Sequence, residues 1–258
     1  MNEIKTMHLF AGVGGGILAD LILGHRPIVA VEWDKYACRV LRERVADGWF
    51  EGMSVWEGDV QLFDPSEYKG RVDCIHAGFP CQDISVAGNQ AGVGEGTRSG
   101  LYREVLRIAD EIQPEYIFLE NVAAITTLGD GAVLRTVVGD LAERGYDAVW
   151  ICLSAAEVGA NHKRDRWWCL AYPSSTSSEG VRITKRVQKG QLFDGRCSSE
   201  HRQPGWWQSE SRVDRVVNGI PFTAHRNKGL GNAQVPLQAA TAFSLLWEIK
   251  NDKNTITK

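Results

Sequence analysis

The most reactive side chain on offer sits in the stretch GFPCQDIS, residues 78 to 85. Cys81 follows an apolar run, Val72 to Ala77, that reads as a buried strand leaving through Gly78, Phe79 and Pro80. Most free cysteines are small buried hydrophobes. In open α/β sheets, though, ligands bind just beyond the carboxyl ends of strands, and a thiol placed there can act as a nucleophile. Two more segments carry chemistry. EYIFLENV puts Glu120 at the end of another apolar run, where burial would raise its pKa and suit it to general acid work; a strand-end Glu-Asn is otherwise a turn cap. GANHKRDRWW carries Arg164 and Arg166, two residues apart. On a strand both would face one side and point into one site, or bind phosphate.

Those groups need elements to hold them at one edge. Strands are expected at Thr6–Phe10, Ile28–Glu32, Val72–Ala77, Tyr116–Glu120, Ala148–Leu153 and Trp167–Ala171. Helical patterns lie between them at Ile17–Leu23, Tyr36–Ala46, Tyr102–Ile112 and Ala132–Arg144. This alternation predicts an α/β, Rossmann-like sheet, mostly parallel, with helices on both faces. The pattern stops at AYPSSTSSEG, and a regular helix returns only at 235–249. The expected organisation is therefore a body of residues 1–172 and 219–258, interrupted by a small irregular insert, 173–218. No internal repeat is visible.

MHLFAGVGGGILADLILG is a strand, a glycine loop and a helix. Glycines there let backbone approach a ligand closely. The dinucleotide fingerprint asks for a sixth-place glycine after Gly12, and Ile17 stands there, which counts against a nicotinamide cofactor. Glu32, eighteen residues after Gly14, ends the second strand in VAVEWDKYA, where its carboxylate can take the two hydroxyls of a ribose. Trp33 can cover an adenine face, and Asp59 in EGDV can accept from an adenine amino group. A ligand with ribose and adenine but no pyrophosphate fits, and S-adenosylmethionine is one.

Bulk properties narrow the class. The chain has 258 residues, 43% of them apolar and 24% charged, with a net charge of −3. That is enough to bury a core in one large domain plus a small one. No apolar run approaches the ~18 residues of a membrane span, and MNEIKTMHLF lacks secretory signal architecture, so a cytoplasmic protein is expected. The six cysteines contain no CxxC pair and the six histidines are scattered, so the sequence predicts neither disulfide nor metal. The insert runs against the acidic whole: the stretch from Tyr172 to Asn218 is net +3, leaving −6 elsewhere. That asymmetry is an electrostatic footprint for phosphate, or else a solvated loop.

Taken together, LFAGVGGGILA, VEWD, GFPCQDIS, FLENV, HKRDRWW and GLGNAQVP resemble, in order and spacing, the motifs of DNA cytosine-5 methyltransferases of the compact bacterial or phage type. The resemblance implies a methyl transfer from S-adenosylmethionine to carbon 5 of a flipped-out cytosine in double-stranded DNA, at a short specific sequence. It implies Cys81 as nucleophile toward carbon 6, Glu120 as acid at ring nitrogen 3, Arg166 on the 2-keto oxygen and Arg164 in support. It places Phe10, Gly12, Gly14, Glu32, Trp33, Asp59, Val60, Pro80, Leu101, Asn232 and Ala233 around the cofactor. His162 stands where the family usually has glutamine. The glycine-rich stretch from Cys81 to Leu101 reads as a lid, with Gln82, Ser85 and Arg98 toward DNA. In the insert, Arg182, Lys185, Arg186 and Lys189 form an acid-free basic run suited to phosphate or guanine.

A monomer is expected, in a bacterial cell or encoded by a phage or prophage, with a cognate restriction endonuclease as a possible partner. Two alternatives share the fold: a tRNA cytosine-5 methyltransferase, whose Cys-Phe-Thr signature is missing, and an inactive DNA-binding homologue, against which Cys81, Glu120 and Arg166 speak. DPSEY differs from the Asp-Pro-Pro-Tyr motif of amino-group methyltransferases and precedes its strand.

Overall fold

The computed structural model describes residues 3–80, 100–174 and 233–252. Seven strands form one sheet: β1 (Lys5–Leu9), β2 (Arg26–Glu32), β3 (Ser54–Glu57), β4 (Cys74–Gly78), β5 (Tyr116–Val122), β6 (Tyr146–Leu153) and β7 (Arg166–Pro173). Their order across the sheet is β3-β2-β1-β4-β5-β7-β6. Every pair is parallel except those of β7, which lies antiparallel between β5 and β6. Among the described residues five helices pack around the sheet: α1 (Gly15–Leu23), α2 (Lys35–Ala46), α3 (Gly100–Ile112), α4 (Ala132–Glu143) and α5 (Pro236–Asn251).

The strand sequences are nearly continuous apolar runs because both faces are covered. Met7, Leu9, Ile75, Ala77, Ile117, Leu119 and Trp167 point into one core, closed by residues of α3 and α4 such as Val105, Ile108, Val137 and Leu141. The alternate residues Cys74, Phe118, Trp168 and Leu170 face a second core, closed by Ala239, Ala242, Phe243 and Leu246 of α5. A third cluster, Ile17, Ala30, Leu41, Phe50 and Met53, seats α2.

Every strand expected from the sequence is present, with ends shifted by a few residues. β3 is additional. Its four residues are exposed or half-buried at the sheet edge, so no apolar run marks it. The helix expected from residue 235 starts at Pro236, a residue whose missing N–H suits a first turn. Of the 173–218 insert, only Pro173 and Ser174 are described.

The C-terminal segment closes tightly on α1. A Cβ on Gly15 would come within 2.1 Å of the Gln234 carbonyl oxygen, and one on Gly16 within 2.6 Å of Gln234 Oε1. Gly15→Ala is expected to destabilise the fold by roughly 1–3 kcal/mol, as overpacking does. In an unencumbered helix the same change stabilises by about 1 kcal/mol, so the sign discriminates. Thermal unfolding of a variant with native circular dichroism reads it, and a higher melting temperature would disprove the close docking.

Candidate functional site

Three loops meet at the carboxyl edge of β1, β2 and β4. After Leu9 the backbone turns through left-handed conformations at Phe10 (φ 57°), Gly12 (φ 54°) and Gly14 (φ 95°), the last being the N-cap of α1. Glu32, 7% exposed, ends β2 and fixes this turn. Its Oε2 accepts from the Gly12 N–H at 2.7 Å, while Oε1 accepts from the N–H groups of Trp33 (2.9 Å) and Asp34 (2.8 Å). Asp34 in turn caps α2 through the N–H groups of Tyr36 and Ala37. The carboxylate assigned to a ribose thus already serves three backbone donors, leaving about one of its four lone-pair sites. Trp33 is 74% exposed beside it. Asp59 is exposed after β3 and accepts from Gln61 N at 3.1 Å, opening a 3-10 turn that buries Val60.

At the end of β4, Phe79 is buried and Pro80 exposed. Asn121 Nδ2 donates to the Phe79 carbonyl at 3.0 Å, tying the ends of β4 and β5 together. One strand over, Arg166 Nε meets Glu120 Oε1 at 2.7 Å. Burial raises the Glu120 pKa; Arg166, Arg164 and Gln234 pull it back, and the net shift is upward from the ordinary 4.5. Both Gln234 Nε2 and Glu120 Oε2 would lie 2.9 Å from a Cβ on Gly78, so the missing side chain there lets amide and carboxyl come together. Phe10, Gly12, Gly78, Glu120, Ala233 and Gln234 line one cleft. Leu101, half-buried at the start of α3, packs against the core beneath.

Arg164 corrects one expectation. It precedes β7 instead of lying on it, with a left-handed backbone (φ 38°), in the irregular connection that follows the 3-10 turn Ala155–Val158. Strand alternation therefore does not relate the two arginines. Arg164 donates to the Ala233 carbonyl at 2.6 Å and still contributes its charge at Glu120. His162 is exposed in the same connection.

The family model for C-5 cytosine-specific DNA methylase matches residues 4–211. The chain belongs to that family. It is 34% identical over 245 residues to the type II methyltransferase M.CviJI of Paramecium bursaria Chlorella virus IL3A, covering 95% of this chain and 60% of that protein. It is 31% identical over 247 residues to M.HaeII of Haemophilus aegyptius, covering 93% of this chain and 74% of that protein. The chain thus spans less than two thirds of the first relative's length. In fold it resembles the crystal structure of a Spodoptera frugiperda DNMT2 variant, with a TM-score of 0.55 at 21% identity, over 72% of this chain and 54% of that one.

Of the methylase site residues expected from the sequence, Phe10, Gly12, Glu120, Ala233 and, through Glu120, Arg164 and Arg166 come together. Cys81, Gln82, Ser85, Arg98, Arg182, Lys185, Arg186, Lys189 and Asn232 lie outside the described residues. Gln234 was not foreseen, although it stands inside the quoted stretch GLGNAQVP. Among the described residues no helix is long and apolar enough to cross a membrane.

The folded chain holds the Glu120 proton more tightly than the unfolded chain does. That stabilising share is complete below about pH 4.3 and is lost as pH rises through the higher folded value. Glu120→Gln should therefore gain stability relative to the native sequence as pH rises from about 4 to about 8. Urea unfolding at several pH values measures this, and a difference independent of pH would refute the raised pKa.

Proposed function

We propose that this chain methylates carbon 5 of cytosine in double-stranded DNA, using S-adenosylmethionine and a covalent bond between Cys81 and carbon 6. The observation that carries the reading is the Glu120 carboxyl, buried and held by Arg166, one strand away from the Gly78 end that runs into Cys81 three residues on. Membership of the methylase family supports the same reaction.

The residues present fit the cofactor. The turn from Phe10 to Gly14 bares backbone through its positive φ angles, and the remaining acceptor site on Glu32 can take a ribose hydroxyl. Trp33 offers an exposed aromatic face, and Ala233 brings the C-terminal segment to the same cleft. When bound, S-adenosylmethionine supplies an electrophilic methyl group on a sulfonium.

The protein's own task is to make carbon 5 of cytosine nucleophilic. The Cys81 thiolate adds to carbon 6, forming a C–S bond and moving the ring's electron pair toward carbon 5 and nitrogen 3. Glu120, whose hold on a proton burial strengthens, delivers one to nitrogen 3 as that electron pair arrives. Arg166 orients the carboxyl and would hold the neighbouring 2-keto oxygen. Once carbon 5 carries the methyl group, its proton passes to water, the thiolate leaves as the double bond re-forms, and nitrogen 3 returns its proton to Glu120. Since these atoms are hidden inside a duplex, the cytosine is flipped out first.

We assign residues 1–172 and 219–258 to catalysis and 173–218 to target recognition, at a short sequence, in the service of restriction-modification or phage DNA protection. Phosphate contacts position a protein on DNA, while base-edge contacts specify the sequence. The basic run Arg182, Lys185, Arg186 and Lys189 lies in the one stretch the α/β pattern leaves free.

DNA carrying 5-fluorocytosine should trap the protein covalently, because fluorine cannot leave as a proton does. Cys81→Ala should bind S-adenosylmethionine but neither methylate nor trap, as read by calorimetry, methyl transfer and denaturing gels. Methylation at the native rate by that variant would exclude the covalent route. Replacing residues 175–210 with a flexible Gly/Ser linker should keep cofactor binding and abolish site-selective methylation in bisulfite sequencing. Retention of the parent's sequence context would place recognition elsewhere.

A further inference from the structure

Behind the glycine loop lies a set of polar groups that the proposed reaction does not use. His8 on β1 and His76 on β4 are register partners on the face covered by α1, and Asp20 of α1 stands over them. All three are 2–3% exposed. His8 Nε2 donates to Asp20 Oδ2 at 2.7 Å, and Thr6 Oγ1 donates to the same oxygen. His76 Nδ1 faces Asp20 Oδ1 at 3.9 Å, and His25 Nδ1 faces it at 3.7 Å, both beyond hydrogen-bond reach. Neither ring nitrogen of His76 has a hydrogen-bond partner among the described residues, nor has His25 Nδ1. Three imidazoles thus surround one carboxylate, with three nitrogens left over in a buried place where unpaired polar atoms are costly.

We propose that His8, Asp20 and His76 form a binding site for a divalent transition metal of the zinc class. Two imidazoles and a carboxylate are the donor types such ions take. One ligand atom from each residue lies within 4.8 Å of the others. A tetrahedral zinc ion with bonds of about 2.0–2.1 Å needs donors roughly 3.3 Å apart, so the three side chains must draw inward to share one ion. The ion takes the place of the proton that joins His8 to Asp20, and Thr6 Oγ1 and His25 Nδ1 stand beside Asp20 as further donors.

The surroundings complete the argument. Burial pushes the Asp20 carboxyl up, but His8, His25 and His76 outweigh it and hold it well below 3.8, so it is anionic. Burial keeps the His76 pKa below 6.5, leaving its ring neutral with a free lone pair. A metal on Nδ1 fixes the proton on Nε2, the usual arrangement when a ligand histidine binds a partner behind it. That partner is at hand: Gln234 Oε1, itself without a hydrogen bond, lies with His76 Nε2 against Gly16, at 2.6 and 3.2 Å from a Cβ built there. His8 and His76 also line the cleft beside Gly12 and Glu120, which gives the ion a way in.

The test is a titration of the full chain, stripped with chelator, with cobalt(II) and then zinc(II). A visible absorption band saturating at one cobalt per chain, bleached by zinc, and a higher melting temperature with zinc are expected. Asp20→Asn and His76→Asn should each weaken zinc at least tenfold in competition with a chromophoric chelator, while exposed His162→Ala should not. Absence of one-to-one binding by the native chain overturns the proposal even if the variants do not fold. Unchanged affinity in folded Asp20→Asn and His76→Asn overturns it too, and the cluster is then a proton-linked network only. None of these measurements depends on DNA methylation, so failure here leaves the proposed reaction standing.

Discussion

Everything around the Glu120 carboxyl depends on β7 running antiparallel between β5 and β6. A parallel strand in that slot would begin at the opposite end of the sheet, far from Glu120. Reversed, β7 begins where β5 ends, with Val122 opposite Arg166 and Glu120 opposite Trp168. Only then can Arg166 reach across one step of the ladder to the Glu120 carboxyl. Burial alone would push the pKa of that carboxyl further up and leave the group loosely placed. Arginine alone would pull the pKa down. The two together keep the pKa above its ordinary value while fixing the group's orientation.

A second constraint is the Glu32 carboxylate. Its three backbone hydrogen bonds span the turn after β1 and the turn after β2, so the glycine loop is held from the side. The same residue type that can take a ribose also sets the backbone that would receive the rest of the ligand. A charged acceptor suits this task, since hydrogen bonds to an ionised group are about twice as strong as neutral ones.

Much of this was legible in the sequence, and what was not has a physical reason. β4 and β5 read as apolar runs because both of their faces are covered, and the runs lead to Gly78 at the end of β4 and to Glu120, two residues before the end of β5. β3 was hidden because Ser54–Glu57 lies half-exposed at an edge. Arg164 and Arg166 look like neighbours on a strand, and nothing local announces the left-handed residue between turn and strand. The placement of β7 is a matter of non-local pairing, which no window of sequence contains. The histidines looked scattered because their meeting depends on the β1–β4 register, in which His8 and His76 pair, and on α1 folding back over both. The one local sign was a polar residue inside each apolar run: His8 between Met7 and Leu9, and His76 between Ile75 and Ala77.

Gln234 shows why the two ends of the chain must assemble before the site exists. Its carbonyl fills the space over Gly15, and its amide lies among Gly16, Gly78 and Glu120. Three glycines, two opening α1 and one ending β4, are thus shaped around one residue that arrives from the far end of the sequence. Gln238, a turn further along α5, donates to the carbonyls of Leu153 and Arg164, and so anchors the same segment to β6 and the approach to β7. One wall of the cleft and the surroundings of the Glu120 carboxyl are therefore one element. Any movement of α5 reaches both together, so the two sides of this cleft cannot be built independently.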